Sequence, residues 1–280
     1  MGFFEKVFDI LDFTLAEAPR ALGVFHIVSI LAVALVSFLI LRRFSSSDDK
    51  TVRRLTLIFW IIILALEIYK QLVYTVSVED GIFSFDYQWY AFPFQFCSSP
   101  IYVLPLIAFL PSGRARDFCI GFMGTFSLFA GLCVMVYPGD VFIKTLGIDI
   151  QTMVHHGSQV VLGIFYTVYY FRTRGKESRK RYHLGGIAVF GVLALTAITL
   201  NVAVYHAFVR FGIDETFNMF FISPYFDCTL PVLSAISPLV PYPVFVAVYI
   251  LGFAAASSVV FYASLGVEKL ISERKRAHET

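Results

Sequence analysis

The sequence predicts an all-α polytopic membrane protein of seven transmembrane helices, N-terminus outside and C-terminus cytoplasmic, and three observations carry that expectation. Of 280 residues, 58% are hydrophobic and only 15% charged, with a mean hydropathy of +0.75. A soluble chain of this length has too little interior to hide so much apolar surface. Apolar runs near the ~20 residues that cross a hydrocarbon core recur along the chain. The basic residues are also lopsided: seventeen fall in alternate loops and the C-terminal tail, against four (Lys6, Arg20, Lys144, Arg210) on the opposite side. Cytoplasmic loops collect Lys and Arg, so the richer side is the inner one. The net charge of +2 follows this topology and implies no nucleic-acid surface.

Taken in order, residues 1–20 read as an interfacial element. Phe4, Val7, Phe8, Leu11 and Leu15 share one helical face and Glu5, Lys6, Asp9, Asp12 and Glu17 the other, the pattern of a helix lying in an interface or capping the bundle. No basic n-region with a small-residue cleavage site precedes it. The membrane domain is expected over 21–271, with spans at 21–42, 54–76, 96–112, 117–137, 152–172, 184–207 and 242–268. Pro100 and Pro105 interrupt the third, which is tolerated where neighbours satisfy the freed backbone groups. Residues 77–95 are aromatic, as in an interfacial belt. Residues 208–241, with Pro224, Pro231 and Pro238, read as a partly buried outer lid, and 272–280 as a basic cytoplasmic tail.

Orientation then places the polar residues at one level. Span two rises from Arg54, so Glu67, thirteen residues on, stands ~20 Å up the helix. Glu67, Lys70, Gln71 and Tyr74 share a face. His26 lies in the first turns of span one, His155 and His156 near the outer end of span five, and Asn201 and His206 in the outer third of span six. Gln95 and Cys97 open span three. Ionisable groups at such depth face a bundle interior or a cavity. Each has a plainer role available: an intrahelical ion pair for Glu67 and Lys70, interfacial hydrogen bonding for His26 and His206. His155 and His156 are ~100° apart on a helix, so they do not point at one atom. His156 shares a stripe with Gln159, Gly163 and Tyr166, which favours it as the inward one. The four cysteines and these histidines lack metal-ligand spacing, so neither a metal nor a cofactor is expected.

Cys97 is open to three readings: a small packing residue, a disulfide partner of Cys228 on the same side, or a nucleophile. It follows Phe92-Pro93-Phe94-Gln95-Phe96 and is expected to open a helix, whose positive end favours a thiolate. A histidine at the same depth would complete the Cys/His pairing of acyl transfer.

These residues together resemble the YwaF family of bacterial integral membrane proteins. The likeness rests on Glu67-x-x-Lys70-Gln71, the Phe92–Cys97 run with Pro105, His155-His156-Gly157, Asn218-Met219-Phe220-Phe221 followed by Pro224, and Pro241-Tyr242-Pro243. It covers nearly the whole chain in order. The family is related to the eukaryotic transmembrane protein 164, described as a phospholipid acyltransferase. The resemblance therefore implies an acyl–cysteine mechanism at Cys97, with His156 or His155 as base and membrane lipids as partners. The family pattern carries His two residues before the cysteine, where this chain has Gln95, and its Asn-Tyr signature reads Asn218-Met219 here. Under this reading Gln95 or Asn218 donates to an oxyanion, and Lys70 holds a phosphate or orients the site. Two other classes stand beside it. A transporter needs polar residues in the inner half of the spans too, and spans one, two, five and seven look apolar there. A structural membrane protein would use the polar layer only to lock helices. A retinal-type receptor is disfavoured, because Lys269, at the cytoplasmic end of the last span, is too shallow for a buried Schiff base.

Overall fold

The computed structural model describes residues 2–79, 81–139 and 141–279, and the side chains of these except Glu79 and 275–279. Met1, Asp80, Asp140 and Thr280 lie outside that description, as do the side chains at the end of the expected basic tail. The described fold is all-α apart from one small hairpin, with five helices long and apolar enough to cross a membrane. These are α2 (Val24–Phe44), α3 (Asp49–Thr75), the continuous helix Arg114–Val136, α8 (Ser178–Phe211) and α10, which starts at Tyr242. The chain is a multi-pass membrane protein.

Burial is inverted relative to a soluble bundle. In α2 only His26 and Ser37 are buried, while Val24, Leu31, Leu35 and Phe38 are exposed. Twenty-one residues at ~1.5 Å each span ~31 Å, the thickness of a hydrocarbon core. In α3 the buried residues are Val52, Leu55, Thr56, Ile63 and Glu67, one stripe at helical spacing. Glu67 continues an apolar seam, which is why it is buried. Asp48 caps α3 by accepting from Thr51 N at 3.2 Å, and the Thr51 hydrogen bonds hold its carboxyl below the usual carboxylate range.

The centre of the bundle is α7 (Leu146–Thr173), buried over twenty of its twenty-eight residues. It packs against α2, α3 and the Arg114–Val136 helix. Because protein rather than lipid surrounds it, it carries histidines, glutamines and tyrosines and falls outside the five apolar helices. The Arg114–Val136 helix comprises α5 (Arg114–Phe122), a π-helical turn at Met123–Ser127 and α6 (Leu128–Val136). It crosses α8 so closely that a Cβ on Gly121 would collide with the Tyr182 carbonyl.

The expected third span, 96–112, is much shorter than proposed. Its helix α4 (Pro100–Phe109) has ten residues, ~15 Å. Pro105 lacks an N–H and so frees the Ile101 carbonyl four residues earlier, which accepts instead from Trp60 Nε1 at 2.9 Å. At the other end, Arg116 Nε donates to Ile107 O at 2.7 Å and Arg53 Nη1 to Ala108 O at 2.6 Å. Both arginines also hold Asp49, so an ionic cluster terminates the helix.

The amphipathic N-terminal helix α1 (Phe3–Leu11) is shorter than the pattern through Leu15 suggested. Leu15 N donates to Lys144 O, and Leu146 N to Phe13 O, in an extended pairing. The segment expected as an aromatic belt begins with a hairpin, β1 (Val76–Glu79) and β2 (Ile82–Phe85). Its Phe83 packs edge-on against Phe4 and Phe8 of α1. In the expected lid, α8 continues to Phe211 and α9 (Leu233–Ile236) is a single turn, whereas Phe217, Met219, Phe220 and Ile222 insert into the core.

Candidate active site

Cys97 lies in a 3-10 turn, Phe96–Ser98, ahead of α4, not in the first turn of the helix as expected. Its carbonyl is clamped by α7. His155 Nε2 and Gln159 Nε2 both donate to Cys97 O, each at 2.8 Å. The two residues are four apart and share one helix face. A carbonyl only accepts, so His155 carries its proton on Nε2, and Nδ1 is an acceptor, buried and unpaired. His156, expected as the inward histidine, is buried beside it. His156 donates through Nδ1 to Thr152 O at 2.8 Å, in the preceding turn of its own helix, which leaves its basic lone pair on Nε2. The two imidazoles are neighbours, with ring centroids 5.4 Å apart.

From α3, Glu67 Oε1 accepts from Lys70 Nζ and Gln71 Nε2, both at 2.8 Å, and Gln71 also donates to Ala91 O at 2.7 Å. The ion pair is shielded, with side-chain exposures of 17% for Lys70 and 5% for Glu67. Both charges lie in electrostatic range of the Cys97 thiol, and Lys70 also of His155 and His156. Cys97 is half-buried; it is free, as are the buried Cys119 and Cys228 and the exposed Cys133, so the disulfide reading with Cys228 is set aside.

Three buried atoms around this turn lack partners: Glu67 Oε2, His155 Nδ1 and Gln159 Oε1. With the side-chain assignments above, all three are acceptors. A buried acceptor left without a donor costs about 1–3 kcal/mol. Among the described residues, no group of three or more His, Cys, Asp or Glu is arranged to hold a metal ion.

The remaining polar residues do other work. His26 donates through Nε2 to Met135 O and accepts at Nδ1 from Leu22 N, both at 2.9 Å, joining the start of α2 to the end of α6. Asn201 brackets the Met219 backbone, donating to its carbonyl at 3.0 Å and accepting from its N–H at 2.7 Å. Gln95 donates to Asn218 O at 3.1 Å and accepts from Phe220 N at 3.0 Å. Asn218 accepts from Ser223 N and donates to Asp227 O, both at 3.0 Å. These amides stabilise a loop in which Phe220 and Phe221 both adopt positive φ, 59° and 53°, a strained conformation for aromatic residues. Gln95 and Asn218, expected as oxyanion donors, each commit the amide oxygen and one amide hydrogen to this loop. Gln159 was visible in sequence only as a stripe-mate of His156. Its signal was the i, i+4 spacing from His155.

The chain belongs to the TMEM164 family, whose model matches residues 21–263. That span takes in every helix from α2 to α8 and most of α10. Comparison with curated proteins and with solved structures gives no match.

Proposed function

We propose that this protein is a seven-span enzyme of the cell membrane that transfers acyl groups of phospholipids or lysolipids through Cys97. The spans are α2, α3, α4 with its preceding turn, the Arg114–Val136 helix, α7, α8 and α10. The charge asymmetry supports an external N-terminus and an outer-leaflet level for Cys97. Family membership supports the reaction class. The observation that carries the reading is the free Cys97, whose backbone carbonyl is held by His155 and Gln159 from α7, with the Glu67–Lys70 pair and unpaired acceptors near it.

The chemistry runs in two balanced halves. Cys97 loses its proton to His156 Nε2 and its sulfur attacks the ester carbonyl. The tetrahedral intermediate collapses, the ester C–O bond breaks, and the imidazolium returns the proton to the departing lysolipid oxygen. A second lipid hydroxyl then gives its proton to His156 and attacks the thioester; the C–S bond breaks and the imidazolium returns the proton to sulfur, which restores the thiol. Lys70 stabilises the developing oxyanion or a headgroup phosphate. His156 makes its hydrogen bond to Thr152 O rather than to the thiol, so closure of imidazole on sulfur belongs to the lipid-bound state. A Cys97→Ala variant reconstituted with labelled phospholipid and unlabelled lysolipid is expected to lose acyl exchange while keeping its melting temperature. Exchange at the wild-type rate would remove Cys97 from the mechanism.

A non-enzymatic structural role is the second reading. It is favoured by the commitment of Gln95, Asn201, Asn218 and His26 to backbone groups.

A further inference from the structure

On α1, Phe3, Val7 and Ile10 stand at i, i+4 and i+7 and form one edge of the helix. The neighbouring edge, with Phe4 and Phe8, is the one that packs on Phe83 of the hairpin. Phe3 and Ile10 are each more than half exposed, and so are Phe13 just after the helix and Ile82 and Phe85 on the hairpin. Large apolar side chains collected in this way on one small unit mark an interaction surface. Depth decides what covers it. A short turn, Ser45–Asp48, joins α2 to α3, so Asp49 starts level with the inner end of α2. Tyr69 stands twenty residues further along α3, ~30 Å up, which is level with Val24 where α2 enters the hydrocarbon. The Tyr69 hydroxyl donates to Leu11 O at 2.6 Å, and a helical side chain leans toward the start of its helix. The end of α1 is therefore held at the edge of the hydrocarbon, not above it in water. Leu22 and Val24, which lead into α2, are exposed as well, so the apolar surface runs on into the lipid-facing side of that helix.

We propose that α1 and the hairpin together form an anchor that seats Phe3, Ile10 and Phe85 in the bilayer leaflet on this side, its partner being the apolar part of the lipid surface. Charge does not drive the seating. The polar side of α1 carries Glu5, Asp9 and Asp12 against Lys6, an acidic balance that gives anionic lipid no counter-charge. The anchor is strapped to the bundle by residues 11–15. Beyond the Tyr69 bond to α3, Leu15 N donates to Lys144 O at 2.7 Å, Leu146 N to Phe13 O at 3.0 Å and Thr145 Oγ1 to Asp12 Oδ1 at 3.1 Å, all at the start of α7. The strap thus bridges the helix that carries Glu67 and Lys70 and the helix that carries His155, His156 and Gln159, and the seated anchor fixes their spacing at this end. The anchor is separate from Cys97 and holds whether or not acyl groups are transferred there.

The test is the depth of nitroxide labels on the full-length protein in phosphatidylcholine vesicles, read by power saturation in electron paramagnetic resonance. A Cys133→Ala background removes the exposed native thiol. Labels on Ile10→Cys and Phe85→Cys are expected to collide more often with lipid-soluble oxygen than with a water-soluble nickel chelate. A label on Asp9→Cys, on the polar side of α1, is expected to reverse that ratio. The same order is expected when phosphatidylglycerol is added to the vesicles. Apolar-edge labels that favour the nickel chelate put the unit in water and overturn the proposal. Labels shielded from both reagents, with dipolar broadening between copies, assign the surface to a second copy of the chain and overturn it too, as does seating that needs phosphatidylglycerol. Labels on two separate elements keep the test decisive where circular dichroism shows one variant misfolded. None of them reads acyl transfer, so failure here is distinguishable from failure of the Cys97 mechanism.

Discussion

Glu67 and Lys70 set the electrostatics of the candidate site, and their arrangement makes a sharp statement about stability. Glu67 Oε1 serves Lys70 and Gln71, while Oε2 has no partner. Removing one member of a shielded pair strands the other charge. Glu67→Gln or Lys70→Met alone is therefore expected to destabilise the protein by about 3–5 kcal/mol, and the Glu67→Met/Lys70→Met double variant to recover most of that loss. Thermal unfolding of the three in detergent checks this, and additive losses would contradict it. Sequence located this pair and its shared face, because an ion pair at i, i+3 inside an apolar run is conspicuous. It could not assign the histidines. Adjacent residues on a buried helix both face protein, and a shared stripe does not say which imidazole reaches the Cys97 carbonyl. The loop contacts of Gln95 and Asn218 were hidden for a related reason: a buried amide satisfies a strained loop as readily as a ligand, and positive φ at Phe220 and Phe221 leaves no mark in composition.

Among the elements, α4 shows how a short, proline-broken helix is made viable where water is scarce. Trp60 takes the carbonyl that Pro105 frees, and Arg53 and Arg116 take those at its end. Trp60→Phe keeps the ring and removes only the indole donor. It is expected to cost about 1–3 kcal/mol for the stranded Ile101 carbonyl, read as a lower melting temperature, with no loss if another donor moves in. The proline pattern announced an interruption, but not that the helix would stop after ten residues, because the arginines that end it come from α3 and α5. The lipid-facing helices were legible because sustained apolarity needs no partner to interpret. The hairpin at 76–85 was not, since its exposed aromatics read equally well as a membrane belt.

For the whole molecule, the inside-out burial and the buried, polar α7 define a membrane bundle arranged around one helix. The proposed orientation has a direct consequence. In a Cys133→Ala background, Ser234→Cys is expected to react with an impermeant maleimide on intact cells, and Lys176→Cys only after permeabilisation. The reverse pattern would invert the topology and move the polar layer to the inner leaflet. The central claim is chemical, and mass spectrometry of Cys97 tests it most directly. Reconstituted protein given a phospholipid with a mass-tagged acyl chain, without acceptor, is expected to carry that chain on Cys97 as a thioester. The adduct should be removed by neutral hydroxylamine and discharged onto added lysolipid. Acyl exchange that proceeds with no adduct on Cys97, or that survives in Cys97→Ala, would contradict the account.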